Sequence, residues 1–438
     1  MKRLDPLHTL LSGFNLIEAS AGTGKTYAIT ALYVRLVVEL GIAVNRILVV
    51  TYTNAATKEL RDRIRGRLLQ VRTAFLRGRA AEDDDLAVRL LDWLPEREIA
   101  IRRLTNAVRG FDEAAIFTIH GFCKRVLGDN AFESGLSFET ELLADTGDLL
   151  QEIIDDFWRR ELYPADPIVA QYFLDAGYSP ELLRSQIERH LNKPYLRVVA
   201  PAGISDGAAL AQTFAAAFLQ ARDLWLEDRA AIEELLLTSP ALNRNRYRLT
   251  SIPAWLENMD EYLAAEIPKL ARFANFDRFT TTKLTAATGK GKTTPAHPFF
   301  AVCETLETTG AALADAYRHQ LPVKLLEYCN AELAIRKRQQ QVQSYDDLLL
   351  NLYRALHSKR QGPALIETLR QRHAAALIDE FQDTDPVQYA IFRRIYADTS
   401  HPVFLVGDPK QAIYSFRGAD LFAYLIARRA TPETHRHT

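Results

Sequence analysis

Cysteine is scarce in this chain of 438 residues, with only Cys123, Cys303 and Cys329, scattered and without CxxC spacing. A disulfide framework and a cysteine zinc site are therefore not expected, and a reducing cytoplasm suits the protein. No apolar run approaches membrane-spanning length, and Asp5, Pro6 and His8 interrupt any apolar core behind Lys2 and Arg3. Neither a spanning helix nor a signal peptide is expected, and no membrane contact. Charge of one sign is lacking too: 54 Lys and Arg face 55 Asp and Glu, a net of −1. That balance argues against a uniformly basic nucleic-acid coat but leaves room for local patches. One patch runs from Arg61 to Arg79 and reads, taken alone, as a solvated helix face. Internal repeats and low-complexity tracts are absent. The apolar fraction of 48% is ordinary for a soluble globular chain, and the length suits two or three domains.

What is present begins with Ile17-Glu18-Ala19-Ser20-Ala21-Gly22-Thr23-Gly24-Lys25-Thr26. Apolar Phe14 to Ile17 runs into this turn and helix-forming Tyr27 to Leu40 leaves it, the setting a phosphate-binding loop requires. Gly22 and Gly24 lack a Cβ, so the backbone can fold tightly and aim successive N–H groups into one concavity. The positive end of the following helix faces the same spot. Residues Ala19, Ser20, Ala21, Gly22, Thr23, Gly24, Lys25 and Thr26 are thus the candidate cradle for a nucleotide. Lys25 can reach the outer phosphates and the Thr26 hydroxyl can hold Mg²⁺. Ala286 to Thr293 repeats the spacing, but the segment before it, Phe279 to Lys283, is polar, and Pro295 and Pro298 oppose a helix after it. It reads as a mobile basic loop.

Arg46 to Thr51 is short, β-branched and unalternating, the pattern of a fully buried parallel strand. Thr53 and Asn54 follow at its carboxyl end, where ligands gather in such sheets. A simple helix cap by Asn54 explains the segment equally well. Ala115 to Ile119 reads as another strand, ending in His120, Gly121, Phe122 and Cys123. His120 is either a satisfied core histidine or a functional one, and Phe122 reads as exposed. From about Asp145 strand patterns vanish. Gln151–Glu161, Pro180–Leu191, Ala208–Leu237, Pro253–Phe273 and Pro322–Leu356 carry helical spacing between polar or Pro-containing breaks. The sheet pattern resumes at Ala374 and ends in Asp379 and Glu380. One carboxylate at such a strand end can support Mg²⁺ and the next can polarise an attacking water, so Asp379 takes the metal role and Glu380 the water role. Pro402 to Val406 is a further strand, followed by Gln411, which can sense a terminal phosphate. Ala412 to Gly418 then interleaves rings with a cation, including Phe416 and Arg417, and suits either stacking on single-strand bases or a hydrophobic plug.

Taken in order, ASAGTGKT, VVTYTNAATKEL, FTIHGFC, LIDEFQDTD and VGDPKQAIYSFRGAD resemble the successive motifs of superfamily-one helicases of the UvrD/Rep type. IEASAGTGKT, IHGFCKRVL, NAFESG, DEFQDTDPVQY and GDPKQAIYSFRGAD are most similar to the RecB branch of that family, the beta subunits of exodeoxyribonuclease V, with an AddA-type subunit as the alternative. The likeness is thin across most of the helical stretch. It implies an α/β fold: a RecA-like P-loop NTPase domain with a parallel sheet (1A, residues 1–144 and 346–438), interrupted by a mostly helical inserted domain (1B, residues 145–345). It implies ATP and Mg²⁺ as cofactors, 3′-to-5′ movement on single-stranded DNA, action on duplex ends in break repair and recombination, and RecC-like and RecD-like partners. Carried onto this sequence, Lys25 and Thr26 bind phosphate and Mg²⁺, Asp379 supports the metal, Glu380 is the catalytic base and Gln411 the phosphate sensor. Thr53, Asn54, Thr118, His120, Phe122, Phe416 and Arg417 fall in motifs that line the DNA path. The family often has an adenine-reading Gln upstream of the loop, and residues 1–18 contain none. Its second RecA-like lobe, with Arg side chains completing the ATP site, and the RecB nuclease are not within these 438 residues. The expectation is therefore weak nucleotide binding and no unwinding by this polypeptide alone. A DNA-binding module with a vestigial ATP site is the alternative from another class, and a small-molecule kinase has no use for the aromatic loop.

Overall fold

Short apolar segments without alternation make strands buried on both faces, and among the described residues five such segments pair into one sheet, with the two-residue strand Arg436–His437 added at one edge. The computed structural model describes residues 5–19, 24–130, 140–199, 206–411 and 421–438. They divide into two compact units, residues 1–144 with 341–438, and residues 145–340. The second boundary therefore falls five residues before the position expected from the sequence. The reason is local: Val342–Ser344 (β5) pairs in parallel with Glu141–Leu143 (β4) and belongs to the first unit. Among the described residues no helix is long and apolar enough to cross a membrane.

In the first unit the chain runs Phe14–Glu18 (β1), Lys25–Val38 (α1), Ile47–Thr51 (β2), Asn54–Arg77 (α2), Asp85–Trp93 (α3), Arg97–Arg109 (α4), Ile116–Thr118 (β3) and Ile119–Asp129 (α5). After β4, the helical unit and β5 come Tyr345–His357 (α13), Gly362–Arg372 (α14), Ala375–Ile378 (β6), Pro386–Tyr396 (α15), Val403–Gly407 (β7), Leu421–Ala430 (α16) and Arg436–His437 (β8). The sheet order is β3-β2-β6-β7-β1-β8, and every pairing is parallel. Successive strand residues point to opposite faces, so each face has its own core. Ile17, Val49, Leu377 and Phe404 pack against α1 to α4. Leu16, Leu48, Ile378 and Leu405 pack against α5 and α13 to α16. The result is a helix–sheet–helix sandwich whose strand carboxyl ends lie along one edge.

Helix starts follow side-chain caps. Thr53, in extended backbone, accepts the Ala56 N–H at 3.1 Å and begins α2, so the cap is Thr53 and not Asn54. Thr118 likewise accepts the Gly121 N–H at 3.1 Å and begins α5, one residue before the end expected for β3. The arginine-rich α2 is only partly a solvated face. Arg67 is paired with Asp84, and Arg61 donates to the carbonyls of Ala114 and Ile116.

The second unit is helical: Gly147–Leu162 (α6), Pro167–Asp175 (α7), Pro180–Ile187 (α8), Gly207–Thr238 (α9), Ile252–Leu263 (α10), Thr281–Ala287 (α11) and Pro298–Gln339 (α12). Its core is aromatic, with Trp225, Phe279 and Phe299 in mutual ring contact. Pro298, expected to oppose a helix, instead opens α12, because the first helical position needs no N–H donor. Pro322, taken as a helix start, lies inside α12, where packing along Leu313, Leu321, Leu325 and Cys329 carries the helix through it. The phosphate-loop lookalike follows helix α11, not a strand. It is also tied down: Thr288 bridges antiparallel to Leu242, and the Gly289 N–H donates to the Ala241 carbonyl at 2.9 Å.

Candidate nucleotide site at the strand ends

The strand order brings together segments far apart in sequence. β1 lies beside β7 with Glu18 opposite Gly407, and β7 lies beside β6 with Ile378 opposite Leu405. Ala19, buried, donates its N–H to the Gly407 carbonyl at 3.1 Å, and Asp379 donates its N–H to the Val50 carbonyl at 2.9 Å. The turn after β1 and the carboxylates after β6 are thus anchored to a common edge, where open parallel sheets bind ligands.

Gly24 stands at the entry of α1 with φ 101°, a left-handed conformation that glycine adopts without steric cost. The Lys25 side chain that follows ends 2.8 Å from Glu380 Oε2, across 355 positions of sequence. The lysine side chain is 13% exposed and the carboxylate 34%, so the pair is partly screened and can be exchanged for another anion. Thr26 is half-buried in the first turn beside it. Ser20, Ala21, Gly22 and Thr23 lie outside the described residues, as do Phe416 and Arg417.

The acidic pair is built under strain. Glu380 has φ 51°, a left-handed backbone for a residue with a side chain, and its N–H donates to Asp379 Oδ1 at 2.9 Å. Burial, with the Glu380 carboxylate beside it, pushes Asp379 up to about 6. Two crowded carboxylates, one reluctant to ionise, are a donor set that a divalent cation would stabilise. No group of three His, Cys, Asp or Glu side chains suited to a metal occurs among the described residues. A Mg²⁺ here would take one or two protein oxygens, from Thr26 and Asp379, and complete its shell with phosphate and water. The residues present fit that mode of binding.

Gln411 is half-buried, with its side-chain amide donating to Asp408 Oδ2 at 2.6 Å and its backbone N–H to the Asp408 carbonyl at 2.9 Å. Gln382, not singled out by sequence reasoning, is buried between Glu380 and Asp408. The signal for it was the amide side chain two positions after the acid pair.

The strand-end residues divide into three groups. Thr53 and Asn54 are exposed at the end of β2, and Thr118 stands half-exposed at the end of the neighbouring β3. His120 is half-buried, 5.3 Å edge-on from the ring of Tyr345; burial lowers its pKa against the opposing pull of Asp346, so a neutral ring is favoured. Phe122 is a correction. It is 1% exposed, stacked on Phe392 at 6.2 Å and edge-on to His373 at 6.0 Å, so it is core and lines no surface. Tyr345, by contrast, is exposed beside His120, and it too went unnoticed in the sequence.

The profile of the UvrD/REP helicase N-terminal domain matches residues 3–432. The chain is 38% identical to RecBCD enzyme subunit RecB of Escherichia coli (strain K12) over 447 residues, covering 99% of this chain and 37% of that protein. It is 36% identical to RecBCD enzyme subunit RecB of Haemophilus influenzae, covering 97% of this chain and 38% of that protein. A subunit of the same name from Mycobacterium tuberculosis is 28% identical over 94% of this chain. The chain thus spans little more than a third of the length of its more similar relatives.

Proposed function

Because the chain belongs to the UvrD/REP helicase family, we propose that it is the ATP-binding and hydrolysing portion of a RecB-like DNA motor subunit. The observation that carries this reading is the Lys25–Glu380 contact at 2.8 Å, which joins the phosphate loop to the acidic pair. In this reading Ala19 to Thr26 cradle the phosphates, Lys25 exchanges Glu380 for a phosphate oxygen, and Thr26 and Asp379 hold the Mg²⁺ that neutralises developing charge. Glu380, released from the lysine, accepts a proton from the attacking water. Gln411 reports the terminal phosphate. Exposed Thr53 and Asn54, with Thr118 and His120, line the single-strand path, and Phe416 and Arg417 contribute from the loop after Gln411. Movement from 3′ to 5′ on single-stranded DNA and processing of duplex ends are proposed with it from the motif resemblance, and assembly with RecC-like and RecD-like subunits from the names of the relatives.

The test is direct. The 438-residue polypeptide should bind a fluorescent ATP analogue in a Mg²⁺-dependent way, and Lys25→Ala should weaken that binding by about 10- to 100-fold, the worth of a charge-assisted contact. A single-stranded oligonucleotide should also be retained. Mg²⁺-independent binding that Lys25→Ala leaves untouched would overturn the reading. Retention of the oligonucleotide with no nucleotide binding at all would favour instead a DNA-binding module with a vestigial ATP site.

A further inference from the structure

Gln382 sits in the 3-10 turn Phe381–Asp383 that leaves β6, and its side chain is 3% exposed. Both ends of its amide are used. Nε2 donates to Glu380 Oε2 at 2.6 Å, the same oxygen that accepts Lys25 Nζ at 2.8 Å. Oε1 accepts the Asp408 backbone N–H at 2.9 Å. The orientation is dictated by the partners, since a carboxylate only accepts and a backbone N–H only donates. Beyond it, the Asp408 carboxylate accepts the Lys410 N–H at 3.0 Å and the Gln411 side-chain amide at 2.6 Å. A continuous chain of hydrogen bonds therefore runs Lys25, Glu380, Gln382, Asp408, Gln411.

The backbone makes room for this link. A Cβ on Gly407 would lie 2.6 Å from Gln382 Oε1, 2.9 Å from the Gln382 backbone nitrogen and 3.1 Å from that of Phe381. Any larger residue at 407 would displace the turn carrying the link, so β7 ends in glycine where Gln382 crosses it.

We propose that Gln382 is a positioning residue that couples the phosphate site to Gln411. The proposal rests on the nucleotide-motor reading above, in which Lys25 leaves Glu380 when phosphate binds. Glu380 Oε2 then loses one of its two donors, and Gln382 is the one that stays. It holds the carboxylate in place and passes the change in its position to Asp408, whose carboxylate restrains Gln411. Only an amide serves, because the link must donate at one end and accept at the other. Glutamate has the same shape but meets Glu380 with a second carboxylate, and methionine has similar volume with neither function.

The experiment measures the affinity of a single-stranded oligonucleotide with and without a non-hydrolysable Mg²⁺–ATP analogue. It is run on the 438-residue chain and on Gln382→Glu and Gln382→Met, with Tm recorded for each. The unaltered chain should show a shift in oligonucleotide affinity of about 5- to 100-fold between the two conditions. In both variants that shift should fall below about threefold, while the oligonucleotide affinity without nucleotide, and in Gln382→Met the affinity for the nucleotide alone, stay within threefold. A role in folding alone would lower Tm and both affinities together. Variants that keep the full shift, or an unaltered chain that binds both ligands without any shift, overturn the coupling role and leave the nucleotide reading standing. An unaltered chain that binds no nucleotide overturns both.

Discussion

At the scale of single residues, the balance between Lys25 and Glu380 determines what the site does before nucleotide arrives. The contact satisfies a lysine and a strained glutamate with each other, and it must break for either to act. Glu380→Gln should therefore keep or slightly raise nucleotide affinity, because the lysine no longer has a charged competitor, while turnover falls by about 10²- to 10⁴-fold. Separate equilibrium binding and phosphate-release assays check the two halves. Turnover surviving in this variant would remove Glu380 from the chemistry. His373 yields a second prediction, about stability. Burial, with Arg372 and Arg125 adding to it, pushes its pKa from 6.5 down to about 4. Its folded pKa lies below its unfolded one, so protonation favours the unfolded chain. Stability is intact above pH 6.5 and is lost as pH falls towards 4, by at most roughly 3 kcal/mol. His373→Leu should then unfold at lower pH than the parent when followed by circular dichroism, with little difference between them at pH 7.5. The placement of Lys25, Asp379 and Glu380 was legible in the sequence because it depends on local context, a glycine turn or a strand end. Phe122 was misread because its burial depends on Phe392, which arrives 270 positions later on another helix.

Among the elements, the five apolar strands β1, β2, β3, β6 and β7 were read, since unbroken apolar runs permit little else in a parallel sheet, whereas the short β4, β5 and β8 were not. Helix ends were read less well. Pro298 was read as opposing a helix and Pro322 as starting one, yet Pro298 opens α12 and Pro322 lies within it. Position relative to the first turn, which periodicity does not reveal, separates the two cases. An interior proline removes a hydrogen bond and strains its own turn, so Pro322→Ala should raise the stability of the helical unit by about 1 to 3 kcal/mol in urea denaturation. No gain would mean that packing around α12 already offsets the missing hydrogen bond. Thr53 separates structure from binding in the same way. Thr53→Ala should lose the α2 cap, about 1 kcal/mol, and any additional loss of oligonucleotide affinity would belong to a DNA contact.

Across the whole molecule, the two units have separate apolar cores, one in the helices of 145–340 and two flanking the sheet. The helical unit leaves and rejoins the first unit beside the β4–β5 pair, whose register sets Glu141 opposite Val342 and Leu143 opposite Ser344. The exit and return points are therefore only a few residues' span apart. Replacing residues 145–340 with a Gly/Ser linker of about six residues should leave the sheet unit folded, with a single cooperative melt and nucleotide affinity within a few-fold of the parent. Aggregation of the excised form would show that the sheet unit depends on the insertion. The change in residue spacing near Asp145 coincides with the near edge of the second unit. Its far edge was missed because three-residue β5 is too short to carry a periodic signal.

Strand order has a bearing on how the chain is made. β1, which leads into the phosphate loop, is flanked by β7 and β8, so none of its neighbours belongs to the amino-terminal half. A ribosome adding about 5 to 20 residues per second has some 385 residues still to deliver after Glu18 before β7 exists, roughly 20 to 80 seconds of synthesis. During that interval β1 lacks both of its sheet neighbours, while the helical unit, with an apolar core of its own, is completed before either arrives. The nascent chain must shield a sticky apolar ribbon until β7 arrives.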